Sequence, residues 1–351
     1  MKRLFNTGAL ISLFCAAVIL TVFSEKASDF AREALKVCAL CVVPSVFPYM
    51  VISHMTVSCG IAHRLGRILP LSRIFSLPSC ATAPILLGAL CGFPVGAKCA
   101  CQMYLQGDIT KEECEVLISL ANNTGPSFVV SVIGASFFHS ALFGWQLYFF
   151  QLLSSFLSAL LINRIVFPFG KRKDIKDNEI PRISTFSFSR AVSDSCSSTV
   201  TVCGFIVFFS VISGFIVDFA GRYSLDAAAL IAAIAEFSKG TAHSATLGGI
   251  KGRFLCGLSL GFSGLCVFSQ TYAITSPHGI SLKRTVATKL IQGVLTGIMA
   301  AFIPPVLSDN IIPVSIPSLY SLTQAFSLSS ASCSLISLFL CIFSIKNITK
   351  E

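Results

Sequence analysis

The sequence predicts an all-α integral membrane protein of about eight transmembrane helices plus two re-entrant hairpins, arranged in two inverted repeats. Three observations carry this. Hydrophobic residues make up 54% of the chain and charged residues only 12%, against roughly 25% charged in soluble domains. A water-facing surface cannot be built from half that supply, so much of the surface faces lipid. Apolar runs long enough to cross ~30 Å of hydrocarbon recur along the chain. Between them the basic residues collect on alternate sides, as cytoplasmic loops do.

The first element is the run 4–23, preceded by Met1, Lys2 and Arg3. It is long for a signal peptide and no small-x-small cleavage site follows closely, so it reads as an uncleaved helix within 1–30. Further spans are expected at 34–61, 116–138, 141–162, 191–219, 254–276, 285–307 and 319–345. Two other runs, 81–101 and 226–250, are interrupted near their middles by Gly, Pro or charge. Such runs suit re-entrant hairpins, whose open backbone survives at membrane depth only when buried in protein or lining a cavity.

Charge sets the orientation. Loops near 62–80, 163–190 and 277–284 hold Arg64, Arg67, Arg73, then Arg164, Lys171, Arg172, Lys173, Lys176, Arg182, Arg190, then Lys283 and Arg284. The C-terminus adds Lys346 and Lys350, whereas 139–140, 220–225 and 308–318 carry only Arg222. Both termini are therefore expected on the cytoplasmic face of a multi-pass cell-membrane protein. The polar linker 166–190 separates a first repeat at 31–165 from a second at 191–307, and 308–351 holds the last helix and tail. Gly92-Phe93-Pro94-Val95-Gly96 lies over Glu236-Phe237-Ser238-Lys239-Gly240, with Phe and the second Gly in register. The first hairpin enters from the cytoplasm and the second from outside. Inverted repeats of this kind place substrate sites near the midplane, at discontinuous helices.

The net charge of +10 is spent on these loops, which excludes nucleic acid as a partner and leaves the lipid bilayer. The 15 cysteines mostly sit inside apolar runs and read as small hydrophobes. Cys38-Ala-Leu-Cys41 has redox spacing but no second pair or nearby His completing a site. No cofactor or metal site is expected.

Gly88, Gly92 and Gly96 recur every four residues, aligned on one helical face for close backbone approach. Pro94 interrupts that face, having no N–H to donate. Lys98, one turn on, either serves a site or snorkels to the cytoplasmic interface. Asn122-Asn123-Thr124-Gly125-Pro126-Ser127 is the most polar cluster inside any span. Gly125 and Pro126 let the chain unwind, so that the Asn122 and Asn123 amides and the Thr124 and Ser127 hydroxyls line a cavity. In the second half Glu236, Ser238, Lys239 and His243 cluster in the hairpin, with Glu236 and Lys239 spaced for a local pair. Gly261-Phe262-Ser263-Gly264 and Gln270 break the next helix.

Gly261-Phe262-Ser263-Gly264 also evokes the motif of rhomboid intramembrane proteases, and Gly257-Leu258-Ser259-Leu260-Gly261 fits a hydrolase pattern. Either needs a histidine base within reach of the serine. The one later histidine, His278, lies in a loop, and the hydrolase motif needs a soluble α/β setting. No enzymatic activity and no catalytic residues are expected.

Gly92-Phe93-Pro94-Val95-Gly96-Ala97-Lys98, then Gly107-Asp108-Ile109-Thr110-Lys111-Glu112-Glu113, then Asn122-Asn123-Thr124-Gly125-Pro126-Ser127-Phe128 resemble the sporulation integral membrane protein YlbJ family. That family belongs with nucleoside-recognition, or Gate, domain proteins. Gly261 to Gln270 fits it too, except that Phe268 stands where the family leads one to expect histidine. The resemblance runs from about residue 30 to 305. It implies a fold similar to concentrative nucleoside transporters. It also implies a role in spore formation, in moving dipicolinic acid across the mother-cell-derived forespore membrane. Half-helix N-termini suit such an anion, with Lys98 or Lys239 as the added cation. The expected substrate-binding set is Gly92, Phe93, Pro94, Gly96, Lys98, Asn122, Asn123, Thr124, Ser127, Glu236, Ser238, Lys239, Ser263 and Gln270. The coupling ion, proton or sodium, stays open, as does a homo-oligomer. The alternative is a non-transporting assembly or scaffold factor.

Overall fold

A computed structural model describes residues 13–68, 71–168 and 187–304, and every regular element among them is helical. The expected last span, the C-terminal tail, most of the 166–190 linker and the first part of the 4–23 run lie outside the described residues.

The chain opens on α1 (Leu13–Val22), α2 (Ser24–Val37) and α3 (Val43–Ser58), with a wider turn at Cys38–Val42 between the last two. Hydrogen bonds from Phe23 N to Ile19 O and from Ala27 N to Phe23 O carry the helix through the first junction. Residues 24–33, between two expected spans, are thus helical. Their charges are carried on the helix surface rather than by a loop: Lys26 reaches across to Asp218 at 2.9 Å, and Asp29 pairs with Arg32 one turn on.

That partner belongs to α9 (Phe188–Gly221), which runs antiparallel to α2 and α3. Their contacts step from Lys26 with Asp218, through Phe30 with Phe215 and Cys38 Sγ with Cys203 O, to Met50 with Thr199 and His54 with Asp194. Ser210, Ser213 and Gly214 line the inner face of α9. Small residues there let two helices approach closely without a hydrophobic drive between them.

Both interrupted runs fold as helix, break, helix. In the first half α4 (Ile61–Ile68) and two short turns lead to α5 (Thr82–Cys91), which breaks at Gly92–Pro94 before α6 (Val95–Gln106). Gly107, left-handed at φ 82°, ends α6. A Thr110–Glu113 capping box then starts α7 (Lys111–Ala121), satisfying two helix-end donors reciprocally. After a break at Asn122–Gly125 the chain runs as a wide, π-type helix (Ser127–Phe137) and then α8 (Ala141–Leu161), capped by Ser140. The second half repeats the order. α10 (Leu225–Ala235), capped by Ser224, breaks at Glu236 before α11 (Phe237–Leu247). α12 (Gly249–Phe262) breaks at Ser263 before α13 (Gly264–Thr275), and α14 (Lys283–Ala301) closes the half.

Contacts sort the loops to two ends. At one end Arg164 donates to Ile74 O at 3.1 Å, and Arg284 donates to Phe167 O at 2.6 Å and Glu112 at 2.7 Å. The Ser281 N–H adds a bond to Glu115 there. At the other end Lys251 meets Asp226 at 3.3 Å, and Phe137, Phe143, Ala300 and Ile303 share one apolar cluster. The α5–α6 hairpin opens toward the first end and the α10–α11 hairpin toward the second.

Three helical stretches among the described residues are long and apolar enough to cross a membrane: Ala141–Val166, Phe188–Gly221 and Gly249–His278. Trp145, Phe149, Val200, Phe208 and Tyr272 project outward from them, as lipid-facing side chains do. Cys99, Cys101 and Cys114 pack together in the main core cluster.

Candidate functional site

The four helix breaks meet. Gly92 adopts φ 82°, a left-handed conformation open to glycine at low cost. A Cβ on it would lie 2.7 Å from Gly125 N and 3.5 Å from Asn123 O, so the first hairpin tip sits directly on the break after α7. A Cβ on Gly88 or Gly96 would collide with Ala121 O, so the glycine stripe is a packing face against the end of α7. In the second half a Cβ on Gly264 would lie 3.2 Å from Glu236 Cα. The two tips touch through Phe93 and Phe237, edge to face at 4.9 Å, and Phe128 meets Phe237 at 5.1 Å. Backbone breaks that satisfy one another's packing in this way are tolerated inside a membrane protein because they are buried in protein.

Polar side chains fill the meeting point. Asn122 and Asn123 are 1% and 3% exposed. Asn122 Nδ2 donates to Thr271 on α13 at 3.1 Å, tying the first broken helix to the second. Asn123 Nδ2 donates to Leu120 O, while its Oδ1 accepts from Lys289 Nζ at 3.0 Å and from Gln292 Nε2 at 2.9 Å, both on α14. Lys289 Nζ also donates to Gln292 Oε1 at 2.8 Å. Gln151 of α8 donates to Thr124 O at 3.3 Å and accepts from Gln292 through its own backbone carbonyl. Among the described residues, Asn122 Oδ1, Thr124 Oγ1, Gln151 Oε1 and Gln270 Oε1 are buried without a hydrogen-bond partner. Unpaired buried polar atoms each cost roughly 1–3 kcal/mol. Ser127 begins the wide helix beside this cluster.

In the second half Glu236 folds back onto its own helix. Its carboxylate accepts from Ser238 N at 3.0 Å, from Lys239 N at 2.9 Å and from the Ser238 hydroxyl, capping α11. Lys239 does not pair with Glu236 through its ammonium. Nζ instead donates to Ser210 O on α9 at 2.9 Å and lies over the Phe30 ring. Ser263 is left-handed at φ 72°, a strained conformation for serine, and with Gly264 at φ 79° it turns the chain between α12 and α13. Gln270 Nε2 reaches Cys266 Sγ at 3.2 Å. Phe268 meets Phe262 edge to face at 5.3 Å, so the position that departs from the family pattern is part of an apolar contact.

Lys98 turns away from the asparagines. Its ammonium donates to Asp194 O on α9 at 2.8 Å and to the Ser198 hydroxyl. His54 meets the same Asp194 carboxylate at 3.4 Å. Lys98 and Lys239, each just past a hairpin break, thus tether the two hairpins to α9 at points 16 residues apart, ~24 Å along a helix. The structure also gathers Gln151, Lys289 and Gln292, which sequence reasoning passed over. The signal for Lys289 was present: a lysine inside the 285–307 run.

The chain is 24% identical over 339 aligned residues to the sporulation integral membrane protein YlbJ of Bacillus subtilis (strain 168), covering 82% of this chain and 81% of the relative. The likeness to the YlbJ family stands. The aligned share covers most of both chains, so it spans the two halves rather than one motif. No protein-family model matches the chain, and no solved structure matches it.

Proposed function

We propose that the chain is a membrane transporter of a small anionic metabolite, and that its two halves are inverted repeats within about eight crossings. The observation that carries this reading is the convergence of four helix breaks on one buried polar cluster. Discontinuous helices expose backbone dipoles and orphan amides at membrane depth, the arrangement secondary transporters use to hold substrate between two rocking halves. The recurrent order of parts, with hairpins opening toward opposite ends, supports the inversion. The basic residues near the end bearing Arg164 and Arg284 support a cytoplasmic assignment of that end. Likeness to a sporulation integral membrane protein supports spore formation as the setting, and dipicolinate, which the family resemblance implies, is the anion to try first. Transport rather than catalysis is proposed, coupled to a proton or to sodium.

The test is flux. Purified full-length protein in liposomes should give saturable movement of pyridine-2,6-dicarboxylate across the bilayer, with nucleosides as the comparison solutes. Correctly inserted protein that moves no anion would favour the non-transporting assembly factor instead.

A further inference from the structure

We propose that the Lys289 ammonium, held by Asn123 and Gln292, is the group that binds a carboxylate of the transported anion. The inference rests on the transport reading above and assigns the cation of that site. Lys289 is 1% exposed and heads the fully buried side chains by size. An ammonium has three N–H donors and no acceptor. Two of the three go to Asn123 Oδ1 and Gln292 Oε1. These are neutral oxygens, so the charge has no counterpart, and among the described residues no carboxylate pairs with Lys289. A buried charge with only neutral partners is costly, and such groups are held where function requires them.

The amides are fixed in the orientation that presents oxygen to the lysine. Gln292 Nε2 is committed to Asn123 Oδ1 and to Gln151 O, and Asn123 Nδ2 to Leu120 O. Rotating either amide would set N–H against N–H. The ammonium is therefore aimed, with one donor left over, which is the requirement for taking one carboxylate oxygen. The cations just past the hairpin breaks, Lys98 and Lys239, are spoken for by backbone carbonyls of α9. Position adds to charge. Asn123, whose side chain accepts from Lys289, has its backbone carbonyl beside the Gly92 tip, so Lys289 is held by the same break on which the first hairpin rests.

Calorimetry on the purified full chain tests this with three measurements. Wild type should bind pyridine-2,6-dicarboxylate at least about tenfold more tightly than the uncharged pyridine-2,6-dicarboxamide, about 1.4 kcal/mol. Lys289→Met should lose about tenfold or more for the dicarboxylate while keeping its affinity for the diamide. Its melting temperature without ligand should stay near that of wild type, because removing a buried unpaired charge offsets the loss of the donor to Gln292 Oε1. Equal dicarboxylate affinity in wild type and Lys289→Met would overturn the assignment and leave the transport reading intact. Equal binding of dicarboxylate and diamide by wild type would overturn it without any variant. Wild type that neither binds nor moves a carboxylate would instead remove the transport reading.

Discussion

The two hairpin tips occupy the same place in the two halves and differ in what they bring to it. At the first, Gly92 lets the backbone lie against Asn123 and Gly125, and no side chain caps α6. At the second, the residue in register is Glu236, whose carboxylate caps α11 and binds its first N–H groups. One half supplies its own anion to a helix N-terminus. The other leaves that end uncapped, against the Asn122–Gly125 break whose Asn123 accepts from Lys289, a lysine with no acidic partner among the described residues. On the proposed transport reading the difference gives unlike duties to like parts: the second tip, satisfied by its own carboxylate, is support, and the first receives the ligand.

The largest effect should come from spoiling the first tip. Gly92→Ala incurs about 1–3 kcal/mol for a backbone at φ 82° and ψ −177°, a region close to glycine-only, and about 1–3 kcal/mol more for overlap with Gly125 N. Gly107→Ala shares the φ but sits at ψ 9° in open space, so only the cost of about 1 kcal/mol for a left-handed residue should remain. Melting curves of the two variants in detergent should show the larger loss at Gly92. Equal shifts would mean that the tip is not packed on the break.

Next is Asn123→Ala, which removes the oxygen shared by Lys289 and Gln292. Flux should be abolished with membrane abundance near normal, at a stability cost of about 1–3 kcal/mol. On the other side of the comparison, Glu236→Ala should cost about 0.5–2 kcal/mol as a lost cap. Glu236→Gln, which keeps one acceptor oxygen, should cost less and retain most flux. A Glu236→Gln variant as inactive as Asn123→Ala would erase the distinction between the tips. The smallest effect is expected at Lys98. Because its ammonium is bound to α9, Lys98→Gln should change anion affinity by less than about threefold, under ~0.7 kcal/mol, and act on abundance instead.

Much of this arrangement was legible before the structure, for identifiable reasons. Breaks are written locally: Gly92 with Pro94, Gly125 with Pro126, and a carboxylate at Glu236 each interrupt an apolar run where the chain does break. The Gly88, Gly92 and Gly96 spacing gave the packing face. Partners were not legible. Lys98 sits one turn from the tip in sequence, yet the direction of its long side chain is set by Asp194 and Ser198, about a hundred residues away. Lys289 was absorbed into an apolar run because its acceptor, Asn123, lies 166 residues before it. Periodicity also divided 4–23 from 34–61, although helix continues between them from Leu13 onward. A charged stretch reads as a loop until its partner on α9 is known.

The central claim is that the two halves are inverted, so that unlike tips meet at one site from opposite sides. Cysteine accessibility tests it most directly. Lys111→Cys lies where the α5–α6 hairpin opens and Thr246→Cys where the α10–α11 hairpin opens, and both positions are exposed. Each would be read against the unsubstituted chain with a membrane-impermeant maleimide. In intact cells Thr246→Cys should label and Lys111→Cys should not, and permeabilisation should make both react. Labelling of both from the same side would contradict the inversion and the account built on it.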